Sequence, residues 1–233
     1  MAHSARFQQG EDPMFTRILK TAIVAVGLLA GSVALAAPQE GREFKRLATP
    51  QPVPAGKLEV VEFFWYGCPH CFAIEPYTEA WAKKLPKDVV FRRVHVMWPG
   101  RGDLEGHAKI FVTLSQMGIA EKYNKAVFKA VQADRIELRR EDVLFDWVKK
   151  QGIDVAKFKG IYNGFSMGVA LNKAAQATRD YNVDGVPTFV VNGKYFTSPG
   201  MVGKEDGTIF TVIDQLLAVE RGAAKPAAAP KKK

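Results

Sequence analysis

Hydrophobic residues change their spacing twice between residues 58 and 98, which predicts a strand, a helix and a second strand. Leu58 to Tyr66 is almost entirely apolar, as is typical of a central strand covered on both faces. Tyr77, Trp81 and Leu85 then recur at four-residue spacing, so we predict a helix with these side chains on its buried face. Residues 89–98 alternate again and predict the second strand.

Helical spacing then extends from Gly102 to Tyr181, which predicts a block of several short helices. Gly118 and Gly152 occupy positions within it that are typical of glycine at helix ends. The chain therefore carries a helical domain, residues 102–181, between two stretches with strand character.

Strand character returns at residues 188–191, and Asn192-Gly193 after it predicts a two-residue hairpin turn. A last helix is predicted over residues 208–221. The order of elements predicts an α/β protein in which residues 58–101 and 182–221 form one domain around the helical insertion.

The N-terminal residues predict an exported protein. Residues 14–36 contain a short basic segment, an apolar stretch and the small-residue sequence Ala34-Leu35-Ala36, the order found in a cleavable signal peptide. A transmembrane anchor is the rival interpretation, but the apolar stretch is short for a bilayer. Residues 1–13 precede a second start, Met14, and are interpreted as an expression leader, whereas residues 37–57 are interpreted as an extended segment.

Composition and charge indicate which kinds of partner the protein can have. The chain is 47% hydrophobic and 24% charged, as in an ordinary globular protein. Its net charge of +9 comes partly from residues 222–233, a lysine-, alanine- and proline-rich tail that we predict to be disordered. The body has no basic stripe interleaved with aromatic residues, so we expect no nucleic-acid partner. With no repeat or obvious interface helix, we expect a monomer.

The candidate chemistry is concentrated in Cys68-Pro69-His70-Cys71, because Cys68 and Cys71 are the only two cysteines of the chain. A disulfide between residues so close together adds little chain-entropy stabilisation. A structural zinc site usually needs four ligands, and the chain has no second cysteine pair, so we expect no metal. A Cys-x-x-Cys directly after an apolar strand is instead typical of a redox site.

The position of the pair at a helix start assigns a role to each residue. Cys68 is predicted to be the nucleophile, because unpaired N–H groups and the helix dipole stabilise a thiolate there. Pro69 suits the first turn, and His70 adds a hydrogen bond or positive charge. Cys71, one turn further, is predicted to be the shielded resolving thiol. If the Cys68 pKa fell to about 4, the reduced form would gain roughly 4 kcal/mol, or roughly 90 mV.

Glu62 interrupts the apolar strand before the cysteine pair. Burial would raise its pKa and suit it to exchange a proton with Cys71. The alternative is a carboxyl group satisfied by a lysine or a backbone donor. Glu59, near the start of the strand, is expected to be solvated, and His95 is expected to be a packed or hydrogen-bonded core residue.

Three further sites are candidates for contact with substrate. Trp65 and Tyr66 either line a hydrophobic groove beside Cys68 or belong to the core. Val186-Pro187 immediately precedes a predicted strand, where a proline is often an ordinary trans residue.

Four segments together resemble the DsbA family of thiol:disulfide oxidoreductases, and the resemblance covers about residues 40–221. They are Val61-Glu62-Phe63-Phe64, Cys68-Pro69-His70-Cys71, Gly185-Val186-Pro187 and Val191-Asn192-Gly193-Lys194-Tyr195. The resemblance implies a thioredoxin-like fold with an inserted helical domain. It also implies a cis peptide bond before Pro187, which lies against the cysteine pair and leaves the Val186 backbone to pair with an extended substrate peptide. Gly67 departs from the family, whose members often carry bulkier residues there.

The resemblance further implies a function in the bacterial periplasm. A DsbA-type enzyme donates its disulfide, here Cys68–Cys71, to newly exported proteins through a mixed disulfide at Cys68. It needs no cofactor beyond that disulfide, and a DsbB-type quinone-linked membrane oxidase reoxidises it. Two alternatives remain open: a disulfide isomerase or reductase kept reduced in the cell, and a periplasmic peptide-binding chaperone.

Overall fold

The structure is a computed structural model that describes residues 37–204 and 206–224. The predicted leader, residues 1–13, and the predicted signal peptide, residues 14–36, lie outside the described residues, as does most of the predicted basic tail.

A five-stranded mixed sheet forms the centre of the fold. Its strands are β1 (Lys45–Arg46), β2 (Leu58–Phe64), β3 (Val89–His95), β4 (Thr188–Val191) and β5 (Tyr195–Thr197). The spatial order is β1-β5-β4-β2-β3, and β2 and β3 are parallel whereas the other neighbours are antiparallel. Every residue of β2 after Leu58 is buried, so side chains on both faces of this central strand are covered, which explains why its sequence is apolar apart from Glu59 and Glu62.

Eight helices surround this sheet within the described residues. They are α1 (Pro69–Ala82), α2 (Glu105–Gln116), α3 (Ala120–Gln132), α4 (Glu141–Lys150), α5 (Val155–Tyr162), α6 (Ser166–Asp180), α7 (Pro199–Val202) and α8 (Thr208–Ala224). Helices α2 to α6 lie between β3 and β4 in the chain, where the sequence predicted the helical block. The arrangement is a thioredoxin-like fold with an inserted helical domain, as predicted.

Three local features differ from the prediction. Strand β1 lies inside the predicted extended segment and pairs with β5, and α7 was not predicted. Helix α8 continues to Ala224, past the predicted boundary at residue 221.

The predicted buried face of α1 is also wrong in part. Tyr77 is 46% exposed, and the buried side of the helix carries Cys71, Ile74, Glu75, Thr78 and Trp81 instead. The helix ends at Ala82, one turn before Leu85, so the four-residue row of apolar residues does not stay on one helix. A four-residue spacing also drifts around a helix that has 3.6 residues per turn.

The predicted turn after β4 is confirmed. Asn192 and Gly193 both have positive φ angles, 50° and 63°, which the favoured two-residue hairpin turn requires. The Lys194 N–H donates to the Val191 carbonyl at 3.0 Å and closes the turn.

One hydrophobic cluster joins the end of β2 to the inserted helices. Phe64 and Tyr66 pack in the same cluster as Phe111 of α2 and Phe128 of α3, and both cysteines belong to it. The ring centroids of Tyr66 and Phe128 are 4.9 Å apart in an edge-to-face arrangement. This shared core holds the first turn of α1 against the insertion.

Candidate redox site

The two cysteines lie at the start of α1, where the sequence placed them. Cys68 is the N-cap, with an extended backbone, and its Sγ accepts a hydrogen bond from the Cys71 N–H at 3.4 Å. Pro69 occupies the first helical position, where its missing N–H costs nothing. The Cys68 N–H donates to the Trp65 carbonyl at 2.9 Å, so a tight turn joins the end of β2 to the helix. Both thiols are free.

The environment of Cys68 favours its thiolate. Hydrogen bonding from the Cys71 thiol lowers the Cys68 pKa to about 6; burial opposes this, and the backbone N–H groups of Cys71 and His70 and the His70 charge assist it. Cys68 is only 6% exposed. Burial therefore explains why its pKa stays above the value of about 4 considered from the sequence.

Cys71 has the opposite environment. It is fully buried, and burial raises its pKa well above the usual range, assisted by the hydrogen bond and the charge of Cys68. Cys71 therefore keeps its proton and donates a hydrogen bond to the Cys68 sulfur, and of the two cysteines only Cys68 has any exposed surface. This asymmetry agrees with the predicted division into nucleophile and resolving thiol.

The loop before β4 lies directly against the nucleophile. The Val186–Pro187 peptide bond is cis, as the family resemblance implied. The Cys68 Sγ lies 3.4 Å from the Val186 carbonyl oxygen and donates to it only while the thiol is protonated. A groove of about 410 Å³ opens here, and it is lined by Lys45, His70, Phe196 and residues 184–188 and 198–201.

Glu62 is fully buried, and its pKa is raised because burial outweighs the attraction of Arg93. The partner of its carboxylate is neither a lysine nor a backbone group: the Arg93 Nε on β3 donates to Oε2 at 2.7 Å. The other oxygen, Oε1, accepts no hydrogen bond from any residue the structure describes. The Glu62 charge also contributes to raising the Cys71 pKa.

The rest of this buried cluster was not predicted from the sequence. Arg93 also donates to both oxygens of Glu75, at 3.3 Å each, and to Glu121 of α3. Burial raises the Glu75 pKa to about 8. Two signals were available: Arg93 interrupts a strand, as Glu62 does, and Glu75 follows Cys71 by four residues on the same helix face.

Of the two interpretations of Tyr66, substrate contact is wrong and the core residue is correct. Its side chain is fully buried in the core, and its hydroxyl donates to Asn124 Oδ1 of α3 at 2.7 Å. The turn after β2 directs the side chain into the cluster shared with the inserted helices. A substrate peptide cannot reach it.

Trp65 is half-buried, and its Nε1 donates to His107 Nδ1 of α2 at 3.1 Å. Its indole lies across Gly67, where an added Cβ would be 2.3 Å from the ring. A bulkier side chain at position 67 would therefore displace the ring or the turn before Cys68. Trp65 and Gly67 line a second surface depression of about 340 Å³ together with His107, so a substrate contact for Trp65 stays a prediction.

His95 is a buried core residue, as predicted. Its Nδ1 lies 3.0 Å from the Val96 carbonyl oxygen, and burial lowers its pKa to about 3, so the ring is neutral. The expectation that Glu59 is solvated is wrong. Glu59 is only 3% exposed, and its carboxylate accepts from the Arg92 Nε at 2.8 Å because β3 lies alongside β2.

No three histidine, cysteine, aspartate or glutamate side chains are grouped to hold a metal ion in the part of the chain that the structure describes. In that same part, no helix has both the length and the apolar character to cross a membrane.

Comparison with known protein families gives a consistent result. A sequence model of the DSBA-like thioredoxin domain matches residues 90–206. The thiol:disulfide interchange protein DsbA of Burkholderia cepacia is 43% identical over 196 residues, which cover 82% of this chain and 92% of that protein. DsbA of Pseudomonas aeruginosa is 39% identical over 210 residues, or 89% of this chain and 98% of that protein.

Solved structures of DsbA proteins are also similar to the structure of this chain. The crystal structure of Pseudomonas aeruginosa DsbA matches with a TM-score of 0.75 and 40% identity, over 80% of this chain and 96% of that one. Reduced DsbA1 from Neisseria meningitidis matches with a TM-score of 0.71 and 30% identity, over 81% of this chain and all of that one.

Proposed function

The chain belongs to the DsbA family of thiol:disulfide oxidoreductases, and from this membership we propose that it oxidises exported proteins by giving them its Cys68–Cys71 disulfide. The observation that carries this proposal is the asymmetry of the pair. Cys68 lies at the surface end of α1 with a lowered pKa, whereas Cys71 is buried with a raised one. A pair whose reduced form is stabilised as a thiolate gives up its disulfide readily.

In the first step, a client thiolate attacks the Cys68 Sγ of the oxidised enzyme. A new sulfur–sulfur bond forms between client and Cys68, and the Cys68–Cys71 bond breaks. Cys71 leaves with the electron pair and takes a proton, because its buried position disfavours the thiolate. Glu62, whose pKa is raised, is the proposed donor of that proton.

In the second step, another thiolate of the client attacks the client sulfur of the mixed disulfide. The client leaves with its own disulfide, and Cys68 departs as a thiolate. Two electrons have then passed from the client to the enzyme. If no client thiol is within reach, Glu62 takes the proton of Cys71, and Cys71 attacks the Cys68 sulfur and releases the client.

The groove beside Cys68 is the proposed binding site for the client backbone. An extended client segment would lie along the loop that contains Val186 and cis-Pro187 and form a strand-like pairing with it. His70, which is exposed at the edge of this groove, would contact the segment beside its reacting cysteine.

We further propose that the enzyme works as a monomer in the periplasm and needs no bound cofactor other than its redox-active disulfide. The signal-peptide pattern of residues 14–36 supports export. Because each turnover leaves the enzyme reduced, a membrane oxidase of the DsbB type, linked to quinone, is the proposed source of oxidising equivalents.

A direct test mixes the oxidised protein with a reduced peptide that contains two cysteines. We expect one peptide disulfide for each enzyme disulfide consumed, and no product with Cys68→Ser. A pair that proves strongly reducing, or that is trapped as a dithiol in cells, would support an isomerase or reductase instead. Suppression of client aggregation that survives in a protein carrying both Cys68→Ser and Cys71→Ala would support a chaperone.

A further inference from the structure

The buried cluster beneath Cys71 does not end in the core. Arg93, whose side chain is only 2% exposed, contacts three carboxylates, and one of them is Glu121 of α3. The Glu121 side chain is 69% exposed. One residue of the inserted domain therefore connects solvent with the buried arginine.

The contact between Glu121 and Arg93 matters because the cluster contains more carboxyl groups than cations. Arg93 supplies one positive charge, whereas Glu62, Glu75 and Glu121 carry three negative charges if all are ionised. Ionising both buried carboxyl groups beside a single cation is unfavourable in free energy. The proton that remains in the cluster is therefore held by Glu62 and Glu75 together, and their titrations belong to the pair.

We propose that Glu121 is a positioning residue that sets, through Arg93, the pH at which the buried pair Glu62 and Glu75 ionises, and hence its readiness to exchange a proton with Cys71. Its carboxylate attracts part of the Arg93 charge and also repels the two buried carboxylates. Both effects hold the proton on the pair. In its consequence for Cys71, this inference rests on the proposed oxidase function.

Few other titratable groups face Glu62, so few others could have the role proposed for Glu121. Within the described residues the groups that face Glu62 come from three elements and the turn after β2, and they are Arg93 of β3, Cys71 and Glu75 of α1, Glu121 of α3 and Tyr66. Strand β4 places Phe189, which carries no charge, opposite Glu62. Among these groups Glu121 is the one whose side chain is largely exposed, so it can be neutralised without opening the core.

The test measures the buried carboxyl groups directly, by carbon NMR of glutamate-labelled protein titrated in its oxidised form, in which no thiol is free to ionise. In Glu121→Gln we expect the buried midpoints to fall by about half a pH unit or more. Glu121→Asp, which keeps the charge, should titrate closer to the unmodified protein. Glu141→Gln is the matched control, because Glu141 is an exposed carboxylate of α4 that pairs with Lys109 instead.

A second measurement follows peptide oxidation against pH in the same proteins. We expect Glu121→Gln to move the profile to lower pH, and Glu141→Gln to leave it in place. If the buried midpoints of folded Glu121→Gln match those of the unmodified protein, the inference is wrong. If the unmodified protein oxidises no peptide, the proposed function fails, and the carboxyl titration still decides the role of Glu121.

Discussion

At the scale of single residues, the sulfur of Cys68 is stabilised by groups within one helical turn. A pKa of about 6, compared with the usual value of about 8.5, favours the reduced enzyme at pH 7 by at most about 1.4 kcal/mol, or about 30 mV. This is an upper limit, because the solvent on the open side of the sulfur screens its charge. The site gains less oxidising power from this pKa than it would from a pKa of about 4.

The Cys71 thiol, which contributes most to lowering the Cys68 pKa, can be removed without changing Cys68 itself. Cys71→Ala deletes the thiol that donates to Cys68, so we expect the Cys68 pKa to rise above about 6. Cys71→Ser, which keeps a donor, should raise it less. Each variant contains a single thiol, so a pH titration of its ultraviolet absorbance reports Cys68 alone. A lower pKa in Cys71→Ala than in the unmodified protein would contradict this assignment.

Gly67 provides a second prediction at the same scale. A methyl group at this position overlaps the Trp65 indole, so Gly67→Ala must displace the ring or the turn before Cys68. We expect a loss of about 1–3 kcal/mol in the free energy of unfolding, measured with urea. Gly168→Ala is the control: it lies in α6 with open space around it, and we expect a small gain of roughly 0.5–1 kcal/mol.

At the scale of elements, β2, β3 and α1 enclose charged groups that apolar elements usually exclude. Their titration makes stability depend on pH. The Glu75 pKa is raised to about 8 in the folded protein, above its value in the unfolded chain. The folded state therefore binds more protons, and stability present at low pH is lost as the pH rises through this range.

The effect of Glu75 ionisation on stability can be measured in the oxidised protein, because that form has no thiol to titrate. His95 and His107, whose pKa values are lowered to about 3 and about 4, act in the opposite sense, but only below about pH 6.5. Between about pH 6.5 and 8 we expect the free energy of unfolding to fall. In Glu75→Gln the fall should be much smaller. An equal slope in both proteins would show that Glu75 is already ionised near neutral pH.

At the scale of the whole molecule, Asn124 joins the insertion to the sheet domain. It accepts from the Tyr66 hydroxyl and donates to Glu75 Oε1 at 2.9 Å, and all three groups are buried. Asn124→Ala leaves both partners without this residue, so we expect a loss of about 2–4 kcal/mol from two hydrogen bonds, one of them to a carboxyl group. Lys125→Ala, its exposed neighbour, should change stability by less than about 0.5 kcal/mol.

Because Tyr66 and the inserted helices share one core, the protein should also unfold in a single transition. Far-ultraviolet and near-ultraviolet circular dichroism should give the same midpoint in urea. Two separated transitions would mean that the insertion is an independent domain.

The sequence predicted elements better than it predicted contacts between them. Three predictions depend on local signals in the sequence, and the structure confirms each of them. They are the largely apolar strand β2, the helical spacing of α2 to α6 and the Asn192-Gly193 turn. The cluster around Arg93 was missed because it joins residues from β2, β3, α1 and α3. The sequence left Tyr66 between groove and core, because a residue beside a redox pair can point either way and only tertiary packing decides which.

The proposed chemistry depends on a difference between the two cysteines: Cys68 is an anion at neutral pH, whereas Cys71 keeps its proton. Ultraviolet absorbance of the reduced protein during a pH titration, with the oxidised protein as the blank, measures this most directly. We predict one thiolate transition with a midpoint near pH 6 that disappears in Cys68→Ser. A midpoint near the ordinary value of about 8.5 would contradict the account.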